Sequence, residues 1–216
     1  MQNDNKKMQD EMNKILNDNK TMKDEINTLK EEIIKLKKEI GEELNSDILT
    51  NKDEKIMIFN WIRQNAKMKF NLLFKATRDG DRISSFADKV KGKSPTLILI
   101  KTKTGYKFGG YTTVVWDMTG SYTYKRDENA FIFSINNKKK FNVKKGEENY
   151  AICGGQNHFA FGGGHNLTIW DNFFANDNSK DYNCGYSYYT TLNYELTGGA
   201  NKFYVEECEV YQVIFE

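Results

Sequence analysis

A heptad repeat near the start of the chain restricts what that segment can become more than any other feature does. Met8, Met12, Ile15, Asn19, Met22, Ile26, Leu29, Ile33, Leu36 and Ile40 recur at alternating steps of four and three. That spacing keeps one stripe of an α-helix turned towards a partner helix. With Met12, Asn19, Ile26, Ile33 and Ile40 at position a, the d positions are Met8, Ile15, Met22, Leu29 and Leu36, so every seam residue but Asn19 is apolar. Isoleucine at a with leucine at d favours two parallel strands, and a single asparagine at a pairs best with its own copy in an aligned dimer. The flanks agree: Asp18, Glu25 and Glu32 at g stand five residues before Lys23, Lys30 and Lys37 at e. Each pair meets across a parallel homodimer. The segment is therefore expected to be a dimerising coiled coil, with a seam of about 50 Å at about 1.5 Å per residue.

Residues 1–45 hold no aromatic residue and no proline, and Gly41 is their only glycine. From Phe59 onward aromatics and glycines come every few positions, so the predicted division is a coiled coil over 1–45 and one globular domain over 46–216. Gly41 and Asn45-Ser46 are expected to end the helix. Thr50 with Asp53 reads as a cap ahead of a short helix containing Ile56, Phe59, Trp61 and Ile62. Beyond Lys69 the pattern is of short strands: Leu72 to Phe74, Thr96 to Lys101, Tyr106 to Thr113, Ala130 to Ile135, Tyr150 to Cys153, Asn166 to Trp170 and Phe203 to Phe215. Glycine and asparagine turns separate them, Thr102 to Gly105 reads as a hairpin, and a helix is predicted over Ser84 to Val90. The expected class is α+β, mainly β, an antiparallel two-sheet sandwich with small peripheral helices.

The net charge of +2 conceals a division, because residues 1–50 carry nine lysines against twelve acidic residues. Neither half has the dense Lys and Arg of a phosphate-driven nucleic-acid binder, so nucleic acid is not indicated as a partner. Cys153, Cys184 and Cys208 are odd in number, widely spaced and without a CxxC pair. They read as reduced cytosolic thiols rather than a disulfide framework or a zinc site. No apolar signal core or membrane-length run is present. A cytoplasmic protein is expected, with the nucleus as the alternative and no direct membrane insertion.

Two ordered sets of blocks carry a family resemblance. The first is Leu72 to Gly80, Phe86, Ser94 to Leu97 with Ile98 to Lys101, Phe108-Gly109-Gly110-Tyr111 and Trp116. The second is Phe131 to Ile135, Ala151-Ile152, Phe161-Gly162-Gly163-Gly164, Leu167 to Ile169 and Glu207 to Val210. Over about residues 46–216 the chain resembles the TLDc family, known for oxidation-resistance proteins. The resemblance implies two packed antiparallel sheets, no agreed catalytic chemistry, a role in protection against oxidative stress, and binding to the cytosolic sector of the V-ATPase. The chain departs from the family at His165, where an acidic residue often follows the triple glycine, and at Val90, where a cysteine is often found.

Nucleophilic catalysis needs a nucleophile, a base in reach and an orienting group. His158 and His165 flank a glycine-rich loop with Cys153 and Asp171 nearby in sequence, and they read as surface-loop histidines beside an inert buried cysteine. As a zinc set, Cys153, His158 and His165 match no recognised spacing, so no metal or other cofactor is expected. The glycine runs lack the Lys-Ser/Thr of a phosphate loop. They suit strand geometry, and Gly109, Gly110, Gly162, Gly163, Gly164 and His165 are the candidate partner-docking residues. Lys138 to Lys140 with Lys144-Lys145 reads as a solvated hairpin tip. Glu206, Glu207 and Glu209 read as lying along one face of the last strand, and Tyr182, Tyr186, Tyr188, Tyr189 and Tyr194 as sandwich packing. The function expected is a non-enzymatic dimeric adaptor in oxidative-stress protection that binds V-ATPase subunits. A dimeric DNA-binding regulator of stress genes is the alternative, and an unrecognised Cys/His enzyme the third reading.

Overall fold

The computed structural model describes residues 2–63, 67–182, 186–190 and 193–216, without the side chains of residues 2–5 and 33–43. Contacts divide it into two compact units, Met1–Glu42 and Glu43–Glu216. The first is one helix, α1 (Gln2–Glu43). It runs through Gly41 without ending there, because a single glycine costs a helix interior only about 1 kcal/mol. Met8, Met12, Ile15, Met22, Ile26 and Leu29 are all exposed in the single chain. The side chains of Ile33, Leu36 and Ile40, and all of Cys184, lie outside the described residues.

The second unit is a sandwich of two antiparallel sheets. Leu44, Ile48 and Leu49 are already buried in it. Helix α2 (Lys52–Ile62) starts one residue later than expected: Asn51, not Thr50, is the cap, accepting from the Asp53 N–H while Glu54 closes the capping box. The strands that follow are β1 (Met68–Lys75), β2 (Thr96–Thr102), β3 (Lys107–Thr112), β4 (Thr123–Lys125), β5 (Phe131–Ser134), β6 (Lys139–Asn142), β7 (Ile152–Gly155), β8 (His158–Phe161), β9 (Leu167–Trp170), β10 (Ser179–Asp181), β11 (Lys202–Phe203) and β12 (Val205–Phe215). Among the described residues one sheet runs β1-β12-β2-β3-β5-β6 and the other β11-β10-β9-β8-β7-β4. The hairpin expected at Thr102 to Gly105 joins β2 to β3. Two short helices, α3 (Ala76–Asp79) and α4 (Ile83–Val90), follow β1.

Alternation decides which side chains fill the sandwich. Ile98, Ile100, Phe108, Ile132, Cys208 and Val210 from the first sheet meet Ile152, Phe159, Phe161, Leu167 and Ile169 from the second in one buried cluster. Phe86 on α4 closes it, stacked on Phe159 at 4.3 Å and edge-on to Phe74 and Trp116. The other face of the first sheet is covered too: Phe59 and Trp61 of α2 pack on Phe70 and Phe133.

Several expected boundaries change. Phe203 to Phe215 is two strands in different sheets, because the chain crosses from one sheet to the other at Tyr204. Tyr150 belongs to a 3-10 turn before β7. Lys138 lies at the exposed β5–β6 hairpin tip as expected, while Lys139 and Lys140, also exposed, continue into β6. Lys139 pairs with the buried Glu195 at 2.5 Å, and the Lys140 ammonium donates to the Trp61 carbonyl at 2.9 Å over the Phe131 ring. Glu207 and Glu209 are buried on one face of β12 while Glu206 points away to Lys101. Of the five tyrosines read as packing, Tyr188 is fully buried, donating to the Ala151 carbonyl, whereas Tyr182, Tyr186 and Tyr189 are exposed.

Candidate functional site

The outer face of the second sheet is built by register. Tyr124, Cys153, Ala160, Thr168 and Lys180 pair in one row across β4, β7, β8, β9 and β10, and Gly155, His158 and Trp170 pair in the next. Because side chains alternate along each strand, these residues point away from the core that Phe159, Phe161, Leu167 and Ile169 fill. Ala160 is small at the centre of the first row. Gly155 has no side chain where the His158 ring lies, and an added Cβ there would sit 2.6 Å from the imidazole.

The loop after β8 folds back over this face. Gly162 takes φ +93°, open to glycine, and a turn from the His165 N–H to the Gly162 carbonyl at 2.9 Å follows. The loop is pinned by the Gly163 N–H donating to Ser187 Oγ at 2.8 Å and the Tyr182 N–H donating to the Asn166 carbonyl at 3.0 Å. His165 itself stands at φ +56°, a left-handed conformation that costs an ordinary residue about 1 kcal/mol or more. Its ring lies 5.2 Å from the His158 ring and stacks on Tyr122 at 5.5 Å, while His158 lies between Tyr122 at 4.8 Å and Trp170 at 4.9 Å.

His158 is therefore not a surface-loop residue as expected, but a strand residue only 2% exposed beneath aromatic rings. Cys153 Sγ lies 3.9 Å from His158 Nε2. Burial pushes the thiol up to about 11 and His158 down to about 4, the latter helped by His165. Both shifts oppose a thiolate–imidazolium pair, which needs the cysteine low and the histidine high. Asp171, the carboxylate that follows the glycine loop, is committed elsewhere: it accepts from the Ile83 N–H at 2.7 Å and Arg82 at 2.9 Å at the start of α4.

The candidate docking residues divide. Gly162, Gly163, Gly164 and His165 form the loop just described. Gly109 and Gly110 are buried in β3, where a Cβ on Gly110 would lie 2.4 Å from the Phe161 ring and one on Gly109 would strike Ile98 and Phe133. Gly110 lets the two sheets close on each other, and Gly109 leaves room within its own sheet for the Phe133 ring.

A family model described as the TLDc domain matches residues 43–214 of this chain. The chain belongs to the TLDc family. Among curated proteins it is 24% identical over 152 residues to "MTOR-associated protein MEAK7" of Mus musculus, covering 67% of this chain and 32% of that protein. The Danio rerio protein of the same name is 27% identical over 66 residues, 31% of this chain and 14% of that protein. The chain thus matches a third or less of the length of these relatives.

Within this TLDc domain, sequence reasoning missed Tyr122, Tyr124 and Trp170 as part of the face around His158. The signal lies in β9, where Leu167 and Ile169 point inward, so that Thr168 and Trp170 must point out. No helix among the described residues is long and apolar enough to cross a membrane.

Proposed function

We propose that this TLDc protein is a non-enzymatic adaptor that acts as a pair, two copies zipped in parallel through α1, each carrying a partner-binding domain. One observation carries the reading: Met8, Met12, Ile15, Met22, Ile26 and Leu29 form an apolar stripe broken only by Asn19, each of the six 46–64% exposed in the single chain. A stripe of that kind on a long helix is stable in water when a second helix covers it. Asn19 and the g-to-e charge pattern favour an identical, parallel partner over other registers. Pairing raises the effective concentration of the second domain once the first has bound a multi-subunit target.

The binding surface in this reading is the outer face of the second sheet, with exposed Tyr122 and Tyr182 beside the Gly163–His165 loop. The target is the cytosolic sector of the V-ATPase, in the oxidative-stress setting that the family suggests; the name of the MEAK7 relatives offers mTOR as the second target to test. A partner-mediated role fits the described cysteines, since Cys153 and Cys208 are both buried with thiols pushed up by burial. The DNA reading loses weight because Lys139 and Lys140 are engaged within the domain. Affinity capture from cytosol with the intact chain, with and without peroxide, tests the proposal. Recovery of pump subunits that falls when residues 2–42 are removed, and again with Tyr122→Ala, supports it. Recovery of neither pump nor mTOR components overturns the choice of target.

A further inference from the structure

The fold brings together three residues that their spacing in sequence does not connect. Cys153 from β7, His158 from β8 and His165 from the loop after β8 each offer one ligand atom, and those atoms all lie within 4.8 Å of one another. Among the described residues this is the one such cluster of His, Cys, Asp or Glu. We propose that Cys153, His158 and His165 form a zinc site on the outer face of the second sheet.

The geometry is close to what the ion needs. Zinc bonds of about 2.3 Å to sulfur and 2.0–2.1 Å to nitrogen, at tetrahedral angles, set ligand atoms about 3.3–3.6 Å apart. Cys153 Sγ and His158 Nε2 are 3.9 Å apart, and the remaining separations, none above 4.8 Å, exceed the bonded spacing by at most about 1.5 Å, within reach of a side-chain adjustment at half-buried His165. The donor set suits zinc, which takes mixed thiolate and imidazole ligands, and rules out calcium and magnesium, which take oxygen ligands. The surroundings are arranged around the three groups. Gly155 leaves the space that the His158 ring fills, Tyr124 lies opposite Cys153 in the register and donates its hydroxyl to the Gly163 carbonyl at 3.2 Å, and His165 stands at its left-handed φ with the ring stacked on Tyr122. A metal bond is a direct reason for a loop to hold that conformation. Three protein ligands leave the fourth position to water or to a donor from a docked partner. The site stands or falls independently of pairing through α1.

Cobalt(II) titration of the full chain, reduced and stripped of metal, tests this. One equivalent is expected to bind with a thiolate-to-cobalt charge-transfer band in the near ultraviolet, and zinc should displace it. Cys153→Ser removes the band, and Cys184→Ser leaves it. Because His158 is buried, His165→Ala is the second variant: with an unchanged melting temperature in metal-free buffer it weakens binding by on the order of tenfold or more. Absence of the band in the intact chain, a band that survives Cys153→Ser, or undiminished affinity in a folded His165→Ala variant each overturns the proposal.

Discussion

Gly110 faces the other sheet, with the Phe161 ring 2.4 Å from the place a Cβ would occupy. Neither β3 nor β8 can retreat without opening the core, so Gly110→Ala is expected to destabilise the domain by about 2 kcal/mol or more; urea unfolding measures it, and a neutral result would mean that the sheets lie further apart. Asp181 gives a pH test. Its carboxyl is buried and, although it accepts from the Leu196 and Thr197 N–H groups at 2.9 and 3.1 Å, desolvation pushes it up to about 6 from an ordinary 3.8. The folded state therefore holds this proton more tightly than the unfolded one. The advantage is complete below pH 3.8 and is lost as pH rises through 6, a difference of up to about 3 kcal/mol. Asp181→Asn keeps an acceptor and cannot ionise, so it should raise the melting temperature at pH 7.5 and leave it unchanged near pH 4; equal shifts at both would show that ionisation is not the cause.

At the level of elements, β12 holds the segment before α2 in place. Glu209, 1% exposed, accepts from the Ser46 hydroxyl at 2.5 Å, the Asp47 N–H at 2.9 Å and the Tyr211 hydroxyl at 2.9 Å. Glu209→Ala strands three donors and should cost about 3 kcal/mol, with Glu209→Gln losing less because it retains one oxygen; equal losses for the two would locate the effect in packing. In α1, Asn19→Ile should raise the melting temperature of the helical pair and broaden the mass distribution beyond two copies, since a lone asparagine at a limits the oligomer at a cost in stability. The long elements were legible in sequence because their periods are strong: α1 from its heptads, α2 from dense apolar residues, β2 from Thr96 to Lys101. Three short strands of the second sheet were not. β4, β8 and β10 run three or four residues and carry Tyr124, His158 or Lys180 on a face where polar and aromatic groups alternate with core residues, so local composition reads as loop. Register with their neighbours, which is a long-range property, makes them strands.

For the whole molecule the same distinction holds. The TLDc blocks lie where core faces repeat, so the two-sheet architecture could be anticipated from Leu72 to Val210. The cluster of Cys153, His158 and His165 could not, because its members meet only after β7 and β8 pair and the glycine loop turns back. Pairing through α1 sets the mass of the molecule in solution. Light scattering of the intact chain at micromolar concentration should give twice the chain mass of 25.1 kDa, and the double variant Ile15→Lys/Ile26→Lys should give that mass once. A single-copy mass for the unaltered chain across the micromolar range would contradict the account.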